Sequence, residues 1–321
     1  MPRKSVDVVV VGSGPNGLSA AIAMAKEGYS VLVLEGAAEA GGGLRTQELT
    51  LPGFVHDVCA TVHALGICSP FLKSLNLEHY GLKWVFPPAA LAHPLEDGTA
   101  VILRCGAENL ERDLGKDGAL LGEMIEPMLD DWGSFLEDLL GAKWFPRRPL
   151  NFARFGFKAL LPALRLARKR FESTRAQALF AGLAAHSMLP LDRIGSAAVG
   201  LLLGAAAVRW GWPLASGGSR SLASALSQCL ESMGGEIQVG HWVRDLKEIP
   251  TSKLVFLDLT PRNLARIAQG SLPGAYLKRL GSHALGPGAY KMDWALSGPI
   301  PAIAFQQVAS IKRLAKNSCY S

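Results

Sequence analysis

Two short apolar runs near the amino terminus mark the first predicted elements of the fold. Residues 6–11 and 31–34 consist almost entirely of valine and leucine, which is typical of parallel strands buried on both faces. Between them, residues 18–26 are rich in alanine and leucine and predict a helix that ends before Gly28. The pattern therefore predicts a strand–helix–strand unit with a glycine-rich turn after the first strand.

The middle of the chain has helical periodicity, and the pattern then returns to strands. Residues 107–140 and 151–185 predict helices that are broken at four prolines, Pro127, Pro146, Pro149 and Pro162. A further helix is predicted over 219–233, a strand over 236–239 and a buried strand over 253–259. We therefore predict an α/β fold in which a Rossmann-like domain receives a mainly helical insertion.

The turn after the first strand has the spacing GxGxxG and reads Gly12, Ser13, Gly14, Pro15, Asn16 and Gly17. Its first glycine permits a tight turn, the second lets the backbone approach a pyrophosphate, and the third lets helix and strand pack closely. Glu35 ends the second strand, 18 residues beyond Gly17, where a carboxylate can accept hydrogen bonds from ribose hydroxyls and disfavours a 2′-phosphate. A dinucleotide other than NADP is the expected ligand.

A second glycine-rich segment, Gly41–Thr46, begins six residues after Glu35. With this segment the chain resembles the flavin amine oxidase and phytoene desaturase superfamily, and the resemblance continues through Pro52–Asp57, Gly217–Gly218 and Lys291–Leu296. It implies FAD as the cofactor, with Gly41 and Gly42 close to the pyrophosphate. It also implies polar and cationic side chains nearby, which are Thr46 and Arg45, and a backbone contact to adenine near Val243.

The resemblance covers residues 6 to about 300 and implies a division into domains. Members of the superfamily continue for a few hundred residues beyond the counterpart of Gly298–Pro301, so we expect a C-terminally truncated chain. The predicted domains are the first part of an FAD-binding domain, a helical substrate-domain insertion, a return to the FAD-binding domain, and the start of an incomplete substrate domain with an atypical tail. Their boundaries are 1–105, 106–212, 213–270 and 271–321.

The formal net charge of +6 is concentrated in one segment. Residues 142–175 hold ten Lys or Arg against one acid, and within 151–171 the basic side chains lie near one helical face. This pattern fits either a solvated basic face over a packed core or a peripheral contact with an anionic membrane surface. No nucleic-acid-binding motif accompanies it, so nucleic acid is not an expected partner.

The remaining features limit the class of protein. No run reaches the roughly 18–20 apolar residues of a membrane-spanning helix, and the basic amino terminus leads into a nucleotide loop rather than a signal peptide. Five cysteines form no CxxC pair and no zinc-like spacing, so no metal site is predicted. A cytoplasmic location is expected.

The sequence leaves three functional hypotheses. The first is an FAD-dependent oxidoreductase of dehydrogenase or desaturase type, which takes hydride from an apolar or amine substrate. The second is a catalytically incomplete FAD-binding fragment or a non-enzymatic remnant, and the third is an NAD dehydrogenase. His56, His63 and His186 are candidates to line a site, with a structural role as the alternative for each, and no residue is assigned a catalytic role.

Overall fold

The structure is a computed structural model that describes residues 6–140, 145–286, 288 and 290–298. The strands are β1 (Val8–Val11), β2 (Val31–Leu34), β3 (Thr46–Glu48), β4 (Val55–Asp57), β5 (Trp84–Val85), β6 (Leu91–Pro94), β7 (Ala100–Leu103), β8 (Leu214–Ala215), β9 (Glu236–Gln238) and β10 (Leu254–Leu257). The helices are α1 (Pro15–Lys26), α2 (Pro70–Lys73), α3 (Ala107–Leu114), α4 (Lys116–Leu129), α5 (Trp132–Leu140), α6 (Pro149–Ala159), α7 (Ala163–Arg170), α8 (Thr174–Ala185), α9 (Ser196–Trp210), α10 (Arg220–Ser232), α11 (Pro261–Ile267) and α12 (Gly274–Gly281).

The chain divides into two compact units. The first contains Met1–Thr61, Leu75–Trp84 and Leu214–Ala295, and the second contains Val62–Ser74, Val85–Pro213 and Leu296–Ser321. The functions assigned to the four predicted domains stay predictions, and the atypical tail, 302–321, lies outside the described residues. Within the described part of the chain, no helix is long and apolar enough to cross a membrane.

The first unit is built on a parallel four-stranded sheet with the order β10-β1-β2-β9. All residues of β1 and β2 are buried, as their valine and leucine content predicts. Proline at the first position of α1 lacks only an N–H that would have no partner inside the helix, so it favours a helix start there. The predicted strand–helix–strand unit is therefore confirmed.

The edge of this sheet corrects one prediction. The sequence predicts a buried strand over 253–259, and β10 is indeed parallel to β1. However, Leu254, Val255 and Phe256 are 43%, 44% and 37% exposed, because β10 is the edge strand among the described residues. An apolar run predicts a strand, but its burial depends on whether another element covers it.

The second unit is mainly helical, and its core is contributed largely by α4, α8 and α9, with Leu179, Phe180, Leu183 and Leu201 fully buried. The predicted helical content of 107–140 and 151–185 is confirmed. Pro127 is an exception to the predicted breaks, since it lies buried inside α4. Proline at this position cannot donate to the carbonyl of Glu123, and that oxygen instead accepts a long hydrogen bond of 3.5 Å from Lys158 Nζ.

A buried carboxylate fixes the start of α8. Asp117 is 4% exposed and accepts hydrogen bonds from the backbone N–H groups of Glu172 (2.9 Å) and Ser173 (2.8 Å) and from the Ser173 hydroxyl (2.5 Å). Burial alone would raise the pKa of Asp117, but these three donors outweigh it and hold the pKa below its ordinary value. Ser173 in turn caps α8 by accepting from the Ala176 N–H.

Candidate functional site

The glycine-rich turn joins β1 to α1 at the carboxyl edge of the parallel sheet. The Gly12 N–H donates to the carbonyl of Leu34, which ties the turn to the end of β2. In the part of the chain that the structure describes, the N–H groups of Gly14 and Asn16 at the start of α1 have no protein acceptor. Amides without a protein acceptor at the positive end of a helix dipole are an arrangement that favours a phosphate.

Glu35 lies directly after β2 and is held by the glycine-rich turn. Its Oε2 accepts from the Ser13 N–H (2.9 Å) and the Ser13 hydroxyl (2.5 Å), and its Oε1 accepts from the Ala37 N–H (2.8 Å). Burial would raise the pKa of Glu35, but the hydrogen bonds and the nearby Arg45 charge lower it below the ordinary value. Glu35 is thus an ionised acceptor with lone-pair capacity left for a ribose hydroxyl.

Gly41 and Gly42, the diglycine, pack directly on the glycine-rich turn of residues 12–17, which is the predicted phosphate-binding turn. The Gly41 N–H donates to the Ser13 carbonyl (3.0 Å) and to the Ser13 hydroxyl (3.2 Å). A Cβ on Gly42 would lie only 2.9 Å from the Cα of Gly14, and the φ of Gly42 is +55°. The two glycine-rich segments that the sequence singles out are therefore adjacent in space, with no room for a side chain between them.

The two polar residues after the diglycine differ in what they offer. The Arg45 side chain donates from Nε to the Gly42 carbonyl (3.0 Å), which leaves its terminal nitrogens beside the diglycine. Thr46 is 4% exposed, donates to Asp57 (2.6 Å) and accepts from the Arg220 N–H (3.0 Å). Arg45 is placed to contact an anion, whereas the Thr46 hydroxyl has protein partners that connect β3 to β4 and to the start of α10.

Asp258 is not among the residues predicted from the sequence, but the fold brings it to the phosphate-binding turn. It follows β10, and its Oδ2 accepts a hydrogen bond from the Gly17 N–H at 2.9 Å. A Cβ on Gly12 would lie 2.6 Å from the Asp258 carbonyl oxygen. The signal that could have identified it is its position directly after a predicted parallel strand, since such residues collect at the carboxyl edge of the sheet where ligands bind.

Val243 lies next to the segment that pairs with the chain after β2, and its predicted backbone contact to adenine stays a prediction. Its side chain is 8% exposed and belongs to the apolar cluster that contains Leu32 and Leu34 of β2. The preceding residues pair with the chain after β2, because the His241 N–H donates to the Glu35 carbonyl at 2.7 Å. Only the backbone of Val243 is therefore left for a ligand.

The candidate histidines His56 and His186 both have protein partners. Nε2 of His56 lies 2.8 Å from the Thr50 hydroxyl, and its Nδ1 lies 3.6 Å from the Asp293 carboxylate. Nδ1 of His186 lies 3.1 Å from the Gly182 carbonyl, with its ring edge-on to Trp212. Among the described residues, no group of three or more His, Cys, Asp and Glu side chains is arranged to hold a metal ion.

The residues of the first unit fit the adenosine and pyrophosphate parts of a dinucleotide. The side-chain-free contact between Gly42 and Gly14 forms a narrow cradle, and the unpartnered amides of Gly14 and Asn16 suit an anion. Glu35 supplies the ribose acceptor at the end of β2. These features are the chemistry that FAD or NAD requires at this end of the molecule.

Known proteins with similar sequence or structure agree with this geometry. Residues 10–72 match the family described as NAD(P)-binding Rossmann-like domain. A stretch of 100 residues is 40% identical to one component of the limonene dehydrogenase of Castellaniella defragrans, and it covers 31% of this chain and 18% of that protein. The structure of putrescine oxidase bound to putrescine has a TM-score of 0.57 at 19% identity, covering 88% of this chain and 64% of that chain. Cyclohexylamine oxidase from Brevibacterium oxydans IH-35A gives a TM-score of 0.51 at 16% identity, with coverages of 86% and 63%.

The predicted α/β fold class is thereby confirmed, and the resemblance to the amine oxidases is confirmed at the level of the fold. Residues 10–72 match a Rossmann-like family of the NAD(P)-binding type, and 86–88% of the chain shares the α/β fold of the two amine oxidases. The chain spans less than two thirds of the length of the two oxidases, and its match covers about a fifth of the limonene dehydrogenase component.

Proposed function

We propose that this chain binds FAD and belongs to an oxidoreductase of dehydrogenase or desaturase type that acts on an apolar or amine substrate. The observation that carries the proposal is the packing of the diglycine on the phosphate-binding turn, where a Cβ on Gly42 would lie 2.9 Å from Gly14 Cα. The resemblance of the sequence to flavin enzymes rests on this second glycine-rich segment, and its position beside the first supports a site for FAD rather than for NAD. A bound flavin accepts a hydride from a substrate carbon.

The residues of the proposed cofactor site have separate tasks. Glu35 accepts from the ribose, while Gly12, Gly14 and Gly17 shape the turn around the pyrophosphate. The site also includes the other residues of the two glycine-rich segments and of the adenine edge, namely Pro15, Asn16, Gly41, Gly42, Arg45, Thr46 and Val243. The Thr46 hydroxyl acts in this site by connecting loops rather than by contact with the cofactor.

The substrate class is proposed from the relatives. The relative that is 40% identical over 100 residues is named for the dehydrogenation of limonene, and the structural relatives are named for the oxidation of amines. One scaffold therefore serves apolar and amine substrates, and a substrate is identified by its site rather than by the fold. We propose small apolar molecules as the first class to screen because of the sequence identity to the limonene dehydrogenase component.

An absorbance spectrum tests the proposal directly. The purified chain is mixed with FAD, desalted and scanned, alongside Glu35→Gln and the control Glu39→Gln, which removes an exposed carboxylate four residues away. Flavin bands retained by the wild type and the control, and reduced in Glu35→Gln, are expected. A wild type that retains NADH but no flavin would instead support the dehydrogenase alternative. Flavin retained without bleaching by any amine or apolar substrate would support the binding fragment.

We also propose a peripheral membrane contact through residues 151–171. The apolar side chains of Leu150, Phe157 and Leu160 are 79%, 78% and 63% exposed on or next to α6. Arg154 lies between them on the same helical face, and α7 carries four further cations, Arg165, Arg168, Lys169 and Arg170, all exposed. Exposed apolar side chains surrounded by cations support contact with an anionic lipid surface.

A further inference from the structure

The chain that leaves the sheet after β9 remains attached to the residues that follow β2. The Glu35 N–H donates to the Gln238 carbonyl (2.8 Å), the His241 N–H donates to the Glu35 carbonyl (2.7 Å), and the Gly240 N–H donates to the Ala37 carbonyl (2.7 Å). The pairing of β2 with β9 thus continues past the ends of both strands. It fixes the position of residues 240–243 beside the ribose acceptor.

This pairing places a large aromatic ring directly on Gly36. A Cβ on Gly36 would lie 2.5, 2.7 and 2.9 Å from Cδ2, Cε2 and Cε3 of Trp242, three bonded atoms at the centre of the indole. Since the three distances are similar, the ring presents its face to the glycine. Glycine is therefore required beside Glu35 for the indole to lie there.

Trp242 is nevertheless 67% exposed. An indole held by one face against the backbone leaves its other atoms to solvent or to a ligand, and aromatic rings in such positions commonly serve recognition. The neighbouring His241 has a buried Nε2 atom with no hydrogen-bond partner among the described residues. The segment next to Glu35 thus carries an open aromatic surface and an unpartnered ring nitrogen.

We propose that the indole of Trp242 lines the adenine pocket and stacks on the adenine ring. Gly36, which has no side chain, leaves the space in which this indole packs. This inference rests on the proposed dinucleotide site, because Glu35 fixes the ribose to which the adenine is attached. Adenine is a flat ring that stacks favourably on an aromatic side chain. Trp242 then determines the affinity for the adenosine half of the cofactor and has no contact with its reacting half.

The first experiment compares FAD and ADP binding by equilibrium dialysis. ADP contains the adenosine and pyrophosphate parts and lacks the flavin. Trp242→Ala is expected to weaken both ligands by the same factor, between about 5-fold and about 150-fold, as removal of a base-stacking aromatic does. Trp242→Phe is expected to restore most of the affinity. Trp294→Ala is the matched control, because Trp294 belongs to the same unit and is 66% exposed.

The second experiment tests whether the Trp242 indole must pack on Gly36 for ADP to bind. Gly36→Ala is expected to weaken ADP binding in the wild type, because the new methyl group displaces the indole, and to have almost no effect when Trp242 is already alanine. Equal losses in both backgrounds would overturn the proposal, since the effect would then come from Glu35 or the backbone. Thermal unfolding of each variant shows whether it is folded, and the exposed Trp242 makes little contribution to a core.

The outcomes separate this inference from the proposed function. If the affinity of Trp242→Ala for FAD is within twofold of the wild type while that of Glu35→Gln is reduced, the proposed stacking on Trp242 is wrong and the proposed cofactor site is supported. If the wild type binds ADP, Trp242→Ala weakens that binding and the wild type retains no FAD, the proposed stacking is supported and the proposed flavin function is wrong. If the wild type binds neither ligand, both proposals are wrong.

Discussion

Replacing Gly42 by alanine tests whether the contact between the two glycine-rich segments matters for the cofactor. The new Cβ would lie 2.9 Å from Gly14 Cα and 3.4 Å from Gly14 N. Both atoms are backbone, so the clash is relieved only by a shift of the turn that carries the unpartnered Gly14 N–H. We therefore expect the phosphate-binding turn to move by a few tenths of an ångström.

The expected effect of Gly42→Ala has two parts, a loss of stability and a loss of affinity for FAD. Substitution of a second glycine distinguishes the two. Alanine in the left-handed region costs about 1–2 kcal/mol, and Gly42 has a φ of +55°. Gly53 has a φ of +83°, lies in the same unit, and has no atom within 4 Å of an added Cβ. Gly42→Ala and Gly53→Ala thus have a similar backbone cost of about 1–2 kcal/mol in the free energy of unfolding. Only Gly42→Ala is expected to lose affinity for FAD, by about tenfold or more, which corresponds to about 1.4 kcal/mol.

Urea unfolding and equilibrium dialysis against FAD measure the two parts. Gly43→Ala serves as a second control, because its Cβ would make an ordinary contact of 3.8 Å with Cys59. If Gly42→Ala and Gly53→Ala bind FAD equally tightly, the contact between the diglycine and the turn has no part in cofactor binding, and the main support for a flavin site is lost.

Three further predictions concern Glu35, Asp117 and the exposed face of α6. The folded-state pKa of Glu35 is lowered from 4.5, so its stabilisation is complete above that pH and is lost as the pH falls through the lowered pKa; the difference in unfolding free energy between wild type and Glu35→Gln, measured at several pH values, should shrink accordingly. Asp117→Ala should cost about 1–3 kcal/mol in urea unfolding, because the N–H groups of Glu172 and Ser173 lose the buried carboxylate that accepts from them. Phe157→Ser should lower cosedimentation with vesicles that contain phosphatidylglycerol several-fold, because it removes the apolar anchor and keeps every charge.

Each of these predictions has a control and a contradicting result. A Glu35→Gln difference that stays constant down to acid unfolding would show that the carboxylate is not held ionised. Asp130→Ala removes an exposed carboxylate, and equal destabilisation by the two aspartate variants would remove the role given to Asp117. Vesicles of phosphatidylcholine alone should bind less protein; binding that is independent of both lipid charge and Phe157 would exclude this face as the membrane contact.

Local features of the first unit could be predicted from the sequence because neighbours along the chain determine them. Four consecutive valines form β1, and the glycine spacing after them follows from the geometry of the turn and the helix start. The sequence spacing between that turn and Glu35 is enough to predict Glu35 as the ribose acceptor. Its actual donors, Ser13 and the Ala37 N–H, could not be predicted, because motif spacing assigns glycine roles and carries no information on the residues between them.

Features that depend on distant residues could not be predicted, for a physical reason. Asp258 is separated from Gly17 by 241 positions, and only the register of β10 beside β1 brings them together. The exposure of β10 depends on its place at the sheet edge, which an apolar run does not encode. Likewise, α4 continues through Pro127, and the carbonyl that this proline leaves without a donor lies 3.5 Å from Nζ of Lys158, which belongs to another helix.

The acidic residues around the predicted phosphate-binding turn bear on how strongly salt would affect dinucleotide binding in the proposed site. Glu35 and Asp258 accept hydrogen bonds from the backbone N–H groups of Ser13, Ala37 and Gly17, which stabilises the loops, and neither carboxylate would attract an anionic ligand. In the proposed site, an anionic dinucleotide would be held by directed amides, by close fit and by Arg45, contacts that salt screens less than those of fully exposed cations. Contact of α6 and α7 with anionic lipid relies on exposed cations, which salt screens strongly. Raising the ionic strength should therefore release the protein from vesicles while leaving FAD bound, and simultaneous loss of both would contradict this division between the two units.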